Sequence, residues 1–283
     1  GRQLAYGQHE DAAYLALDLA PAYDSRTLTA YTREFVFVWG HALVVVDRVT
    51  LPRPRTVPTW VLNIPARPSV DGAALSEAAR VAGKTNEAGV WRCDGATWLR
   101  WTDRDGALWF SAPLPTPHVC RIGGGPAHKL LIADGRHAER TYVGGDAESF
   151  EHLVIPAERH GSANAWYRLG QPTLLGPEFG RTPHWGRIEL EPTELGGVYT
   201  WVTVLIADRA DAQDMPSATL EKNADAWVLE LRAGDDRATL RVPATAAGSG
   251  TLEVQGTRPF SWTLPTKVLA DEPLPTGTPR AGG

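Results

Sequence analysis

Cysteine, methionine and lysine are scarce in this chain of 283 residues, and long apolar runs are missing. Its two cysteines, Cys93 and Cys120, permit one disulfide without requiring it, and their spacing fits no zinc motif. A chain of this length builds a core without staples, so cysteine usage leaves the compartment open. Nothing approaches the roughly 18 consecutive apolar residues of a membrane span, and none is expected. The chain begins Gly1-Arg2-Gln3, its sole methionine is Met215, and no signal peptide is visible. An upstream portion is therefore expected to have been removed, together with any export signal.

The lysines are Lys84, Lys129, Lys222 and Lys267; the other basic side chains are arginines. Guanidinium forks suit carboxylate and sulfate recognition, although a GC-rich genome that favours arginine codons accounts for the same bias. The net charge of −5 argues against nucleic acid as a partner, because phosphate contacts need a positive surface. It gives no general attraction to an acidic polysaccharide either, so such a ligand would need a local basic patch. Hydrophobic residues at 43% and charged residues at 22% describe an ordinary globular protein.

What is present in quantity is period-two alternation, in short runs separated by Gly, Pro and Asp. Leu15, Leu17 and Leu19 alternate with Ala16 and Asp18. Tyr31, Arg33, Phe35 and Phe37 share one face of a strand, and Thr32, Glu34, Val36 and Val38 the other. The run Leu43 to Val49 is dense in β-branched residues, as a strand buried on both faces should be. Trp60-Val61-Leu62 opens another strand after Pro52, Pro54 and Pro58. Trp98 to Thr102 and Ala107 to Leu114 flank Asp103-Arg104-Asp105-Gly106, and Trp227 to Arg232 and Arg237 to Val242 flank Ala233-Gly234-Asp235-Asp236; both read as hairpins. The best helical segment, Ser76 to Lys84, is short. The expected fold is all-β: a large antiparallel, supersandwich-like β-sandwich over 1–207, a smaller C-terminal β layer over 208–264, and a disordered Pro/Thr/Gly-rich tail over 265–283.

Read in order, these strands resemble the post-catalytic part of heparinase II/III-like polysaccharide lyases. The segments that carry the resemblance are Tyr14 to Tyr23, Arg33-Glu34-Phe35-Val36-Phe37-Val38, Leu43 to Val49 with its Asp47-Arg48, and Trp60-Val61-Leu62-Asn63. They continue with Leu114-Pro115, Ile122-Gly123-Gly124-Gly125-Pro126, Trp185-Gly186-Arg187-Ile188-Glu189-Leu190-Glu191-Pro192 and the strand Tyr199 to Ile206. The resemblance implies an N-terminal helical toroid before the β-sandwich, β-elimination on uronic-acid-containing polysaccharides, and a periplasmic or secreted location. It also implies that the catalytic tyrosine, histidine and carboxylate-neutralising residues lie upstream of Gly1, so none is assigned to a position here. The anionic polysaccharide and the toroid are the implied partners. Asn63 stands where the family can have a zinc-ligating histidine; asparagine is a poor zinc ligand, so no zinc or other cofactor is expected.

The residues themselves offer few sites. Trp91, Trp98, Trp101 and Trp109 crowd one stretch, and an indole can stack on a sugar ring, though filling a sandwich core is the commoner use. Trp98 and Trp101, three apart, face opposite ways in a regular strand, one toward the core and one toward solvent. With Arg100, Arg104 and Arg121 as basic neighbours they form the expected substrate-binding set. His118, Cys120 and His128 are the nearest approach to a metal cluster, but a fourth ligand and a zinc spacing are missing. Gly123-Gly124-Gly125-Pro126 lacks the Gly-Lys-Ser/Thr ending of a phosphate loop and reads as a turn with positive φ. His152 with Glu151 and Glu158, and His184 with Glu178, could be written as acid/base pairs, with no nucleophile beside them. Two other readings stand beside the lyase fragment: a stand-alone carbohydrate-binding or structural sandwich, and an independent metal hydrolase.

Overall fold

The computed structural model describes residues 1–38, 42–53, 57–85, 88–125, 185–212, 214–245 and 247–266. Nineteen strands occur among the described residues. They are β1 (Arg2–His9), β2 (Ala12–Asp18), β3 (Ala30–Val38), β4 (Ala42–Thr50), β5 (Trp60–Ile64), β6 (Ser69–Val70) and β7 (Ala73–Ala74). Next come β8 (Arg80–Thr85), β9 (Ala88–Arg92), β10 (Leu99–Asp103), β11 (Gly106–Leu114), β12 (His118–Gly124) and β13 (Gly186–Pro192). The last are β14 (Val198–Arg209), β15 (Ser217–Asn223), β16 (Ala226–Ala233), β17 (Asp236–Pro243), β18 (Thr251–Gln255) and β19 (Phe260–Thr263). Among the described residues helix is confined to two three-residue 3-10 turns, Ala20–Ala22 and Glu77–Ala79. The fold is all-β, and its strands pair antiparallel within the described residues. No helix among the described residues is long and apolar enough to cross a membrane.

The chain divides into two compact units: Gly1–Pro52 with Gly197–Val204 and Pro216–Gly283, and Arg53–Gly196 with Leu205–Met215. The division falls inside β14. In the first unit the strands run β1–β2–β3–β4–β14 in one sheet and β15–β16–β17–β18–β19 in another. The second sheet is a meander whose register aligns Leu220, Leu229, Leu240, Leu252 and Trp262 in one cross-strand row. Leu229, Leu240 and Leu252 are wholly buried, each contributing about 1.5–3 kcal/mol by leaving water. On the first sheet, the face that carries Tyr14, Ala16, Glu34, Val36, Val44 and Val46 is buried, as alternation along β2, β3 and β4 requires.

A charged residue sits in that apolar face. Glu34 is fully buried and accepts from the Tyr14 hydroxyl at 2.5 Å, from the Gly248 amide at 3.2 Å and from the Arg48 guanidinium. Arg48 also donates to the carbonyls of Pro243, the last residue of β17, and of Ala244 just beyond it. The network therefore ties β2, β3 and β4 to the meander. Burial, then the Glu34 charge, push the Tyr14 phenol well above its ordinary range, so it serves as a hydrogen-bond donor throughout the useful pH range. On the opposite face Arg33 forks onto Asp47 at 2.6 and 2.9 Å, beneath the rings of Tyr31 and Phe35.

In the second unit one sheet runs β11–β10–β6–β7 and the other β5–β13–β12–β9–β8. Trp60 on β5 stacks on Phe110 of β11 at 5.4 Å, so the core lies between these sheets. Ile64, Trp91, Trp98, Phe110, Ile122, Ile188 and Leu190 fill it.

Two local elements differ from what the sequence leads one to expect. Ser76 to Lys84 is not helical: Ser76 caps only the turn Glu77–Ala79, and β8 follows, paired with β9. A nine-residue segment is too short to hold a helix against strand pairing. The glycines of Gly123-Gly124-Gly125 are not all in a turn either. Gly123 and Gly124 belong to β12, and Gly125 alone of the three has a positive φ, 78°. The reason is room: a Cβ on Gly124 would lie 2.3 Å from the Trp185 ring. From residue 267 on, the tail lies outside the described residues.

Candidate functional site

The five-stranded sheet of the second unit has one apolar and one charged face, and the charged one is the better candidate for chemistry. Along β13, Ile188 and Leu190 point into the core, so Arg187, Glu189 and Glu191 occupy the other face. The register sets Arg121 of β12 across from Glu189, and Asn63 of β5 across from Arg187. One strand further on, Arg92 of β9 lies across from Arg121. Arg187 pairs with Glu189 and Arg121 with Glu191, while Arg92 holds Asp94 at 2.5 Å.

Glu189 is wholly buried although its face is polar. Burial raises its pKa, the Arg187 and Arg121 guanidinium groups lower it, and the nearby Glu191 adds a further rise; the net direction is up. The folded protein thus takes up a proton at Glu189 more readily than the unfolded chain does. The stability this provides is complete below the ordinary glutamate value of 4.5 and is lost as pH rises through the raised value. The stability of Glu189→Gln relative to the native protein should therefore climb as pH increases from 4.5. Urea titrations at several pH values check this; a difference that stays flat, or shrinks, would show that Arg187 outweighs burial.

The residues anticipated for substrate binding are dispersed. Trp98 and Trp101 are 1% and 5% exposed, so neither indole offers an open face, and the expectation that one of them meets solvent is not met. Trp98 precedes the first residue of β10, so strand alternation does not relate it to Trp101. Its amide is held instead by the Asp71 carboxylate at 2.8 Å, and its ring meets Trp109 edge-on at 6.4 Å. Arg100 lies 5.1 Å over Trp109 and donates to the carbonyls of Ala210 and Ala212 at 2.7 and 3.2 Å. Arg104 occupies the exposed β10–β11 turn with φ 54°; the paired Asp103 and Gly106 leave Arg104 and Asp105 as its two-residue loop. Arg121 belongs to the other sheet. The structure thus gathers Trp98 and Arg100 around Trp109 and keeps Arg121 with Glu191.

Asn63 is exposed on β5. The His118 ring nitrogen Nδ1 lies 2.7 Å from the Pro115 carbonyl oxygen, and Cys120, two residues on, is buried. No group of three His, Cys, Asp or Glu side chains among the described residues is placed to hold a metal ion. His128, His152, Glu151, Glu158, His184 and Glu178 lie outside the described residues. Residue types alone did not flag Arg187, Glu189, Glu191 and Arg92. The only signal was the charged alternation Arg187-Ile188-Glu189-Leu190-Glu191, which identifies a strand but not its neighbours.

By class, then, the chain is an antiparallel all-β protein with an arginine–carboxylate face on one sheet. No protein-family profile and no curated protein matches it. Among solved structures it is similar to heparan sulfate lyase HepC from Pedobacter heparinus, with a TM-score of 0.45 and 13% identity over 86% of this chain. It is also similar to a heparinase III gene product, with a TM-score of 0.44 and 10% identity over 85% of this chain. The chain spans 28% and 27% of the length of those two proteins.

Proposed function

We propose that this chain is the β-sandwich portion of a polysaccharide lyase that acts by β-elimination on uronic-acid-containing polysaccharides, and that it does not catalyse the reaction alone. The observation that supports the reading is the ordered series of family-like segments, which fall in sequence on β2, β3, β4, β5, β12, β13 and β14. Beta-elimination requires neutralisation of the uronate carboxylate, a base for the C5 proton and an acid for the leaving oxygen. In this reading those groups belong to an N-terminal helical toroid, and the whole protein works in the periplasm or outside the cell. The sandwich forms one wall of the cleft. Arg121 and Arg92 are its contacts to the anionic chain, and Arg104 is an outlying contact on its exposed turn. Trp98 and Trp101 act by packing rather than by stacking on sugar.

The test is spectroscopic. Heparan sulfate, heparin and alginate are each incubated with the purified chain and with the gene product extended upstream, and the unsaturated uronate is followed in the near ultraviolet. The extended protein should generate product from at least one polymer and the isolated chain from none. Turnover by the isolated chain, or silence from the extended protein on every uronate polymer, would end the proposal. In the extended protein, Arg121→Ala should raise KM severalfold with kcat nearly unchanged, the signature of lost uniform binding.

A further inference from the structure

We propose that Cys93 and Cys120 are a disulfide-forming pair that staples the end of β9 to β12 when a small-molecule disulfide oxidant is present. The inference rests on strand geometry and is independent of the lyase reading.

The β9–β12 ladder pairs Arg92 with Arg121 and Trp91 with Ile122. Cys93 is the first residue past β9; its amide still donates to the Cys120 carbonyl at 2.9 Å, which carries the register on to set Cys93 opposite Cys120. The Asp94 carboxylate takes the Cys120 amide in place of the reciprocal bond. Directly opposed residues of an antiparallel pair project to the same face. Opposed residues of an antiparallel ladder have Cα atoms about 4.5–5.5 Å apart, inside the window of about 4.4–6.8 Å that a disulfide spans. Both thiols are free in this structure; Cys120 is buried and Cys93 partly exposed. The Asp94 carboxylate fixes the corner by accepting from the Cys120 amide at 3.1 Å. The opposition brings both side chains to one face of the ladder, and the partly exposed Cys93 offers a reachable sulfur to start the exchange.

The chemistry is a two-step exchange. The Cys93 thiolate attacks one sulfur of the oxidant, forming a mixed disulfide and releasing the first small thiol. The Cys120 sulfur then attacks the Cys93 sulfur and releases the second. Two electrons pass to the reagent, and the two protons given up by the protein thiols end on its two thiols. Burial, aided by Asp94 and Asp71, pushes the Cys93 thiol up to about 11, so little of it is thiolate at neutral pH. The rate should therefore rise about tenfold per pH unit between pH 7 and 9. On the opposite side of the same two strands stand Arg92 and Arg121, so the staple would also fix the spacing of those two arginines.

The experiment uses the whole chain and oxidised glutathione as the probe. After reaction, unfolding and alkylation, intact mass should show two fewer hydrogens and no alkyl group, and a digest should contain one linked peptide with Cys93 and Cys120. Cys120→Ser should stop at a mixed disulfide on Cys93, and Cys93→Ser should remain unmodified while folded. Oxidation of the native chain should raise Tm by on the order of 5 °C, because the bond closes a loop in the unfolded state. Two alkylated cysteines, a persistent glutathione adduct on the native chain, a covalent dimer or an unchanged Tm would each overturn the proposal. The native-chain mass result decides it even where a serine variant fails to fold.

Discussion

Glu34→Ala is expected to lower the unfolding free energy by about 3–5 kcal/mol, the range for breaking a buried ion pair from one side. The substitution does more than remove a carboxylate. It leaves the buried Arg48 guanidinium with only the Pro243 and Ala244 carbonyls, and the Tyr14 hydroxyl and the Gly248 amide without their acceptor. Arg48→Met should cost a similar amount, because Glu34 then keeps its charge with no cation beside it. The double variant Glu34→Gln/Arg48→Met should be much less damaging than the sum of its single changes, since a pair replaced on both sides leaves no buried charge. Urea unfolding followed by tryptophan fluorescence measures all of these. A loss below about 1 kcal/mol for Glu34→Ala, or strict additivity in the double variant, would mean that the network does not hold the meander in place.

The same network shows where sequence reading stops. The face of β3 that carries Thr32, Glu34, Val36 and Val38 can be read from alternation, but Glu34 gives no hint that this face is the buried one. Its partners, Tyr14 and Arg48, lie on adjacent strands and reach it diagonally, a relation fixed by the register of β2–β3 and β3–β4. Strands whose signal is local were legible: Leu43 to Val49 is a nearly wholly buried strand, and both hairpins around Asp103–Gly106 and Ala233–Asp236 form. The candidate site was less so. Arg121 could be named, whereas Glu189 across from it could not, because strand order among distant segments leaves no trace in composition. Trp98 misled for the opposite reason. It stands one residue before β10, where the Asp71 carboxylate, not the pleat, sets the direction of the chain.

Gly186→Ala should destabilise the protein by about 3 kcal/mol or more, at the upper end of overpacking effects, because the clash is with main chain. A Cβ at position 186 would stand 2.0 Å from the Gly123 carbonyl oxygen and 2.5 Å from the Gly124 Cα. Neither atom can swing aside as a side-chain tip would, so β12 and β13 would have to part where Gly124 and Gly186 are paired. At Gly124→Ala the three nearest atoms all belong to the Trp185 ring, which packs 6.0 Å from Trp91, and the loss should be milder, about 1–3 kcal/mol. The order of the two effects is the informative quantity: equal losses would mean that Trp185 is as immovable as backbone, and a neutral Gly186→Ala would mean that the two strands are not so closely paired. The neighbour of Gly186 in sequence is Arg187, whose place across from Asn63 depends on the same ladder. Gly186→Ala should therefore disturb the arginine–carboxylate face of this sheet as well as lower stability.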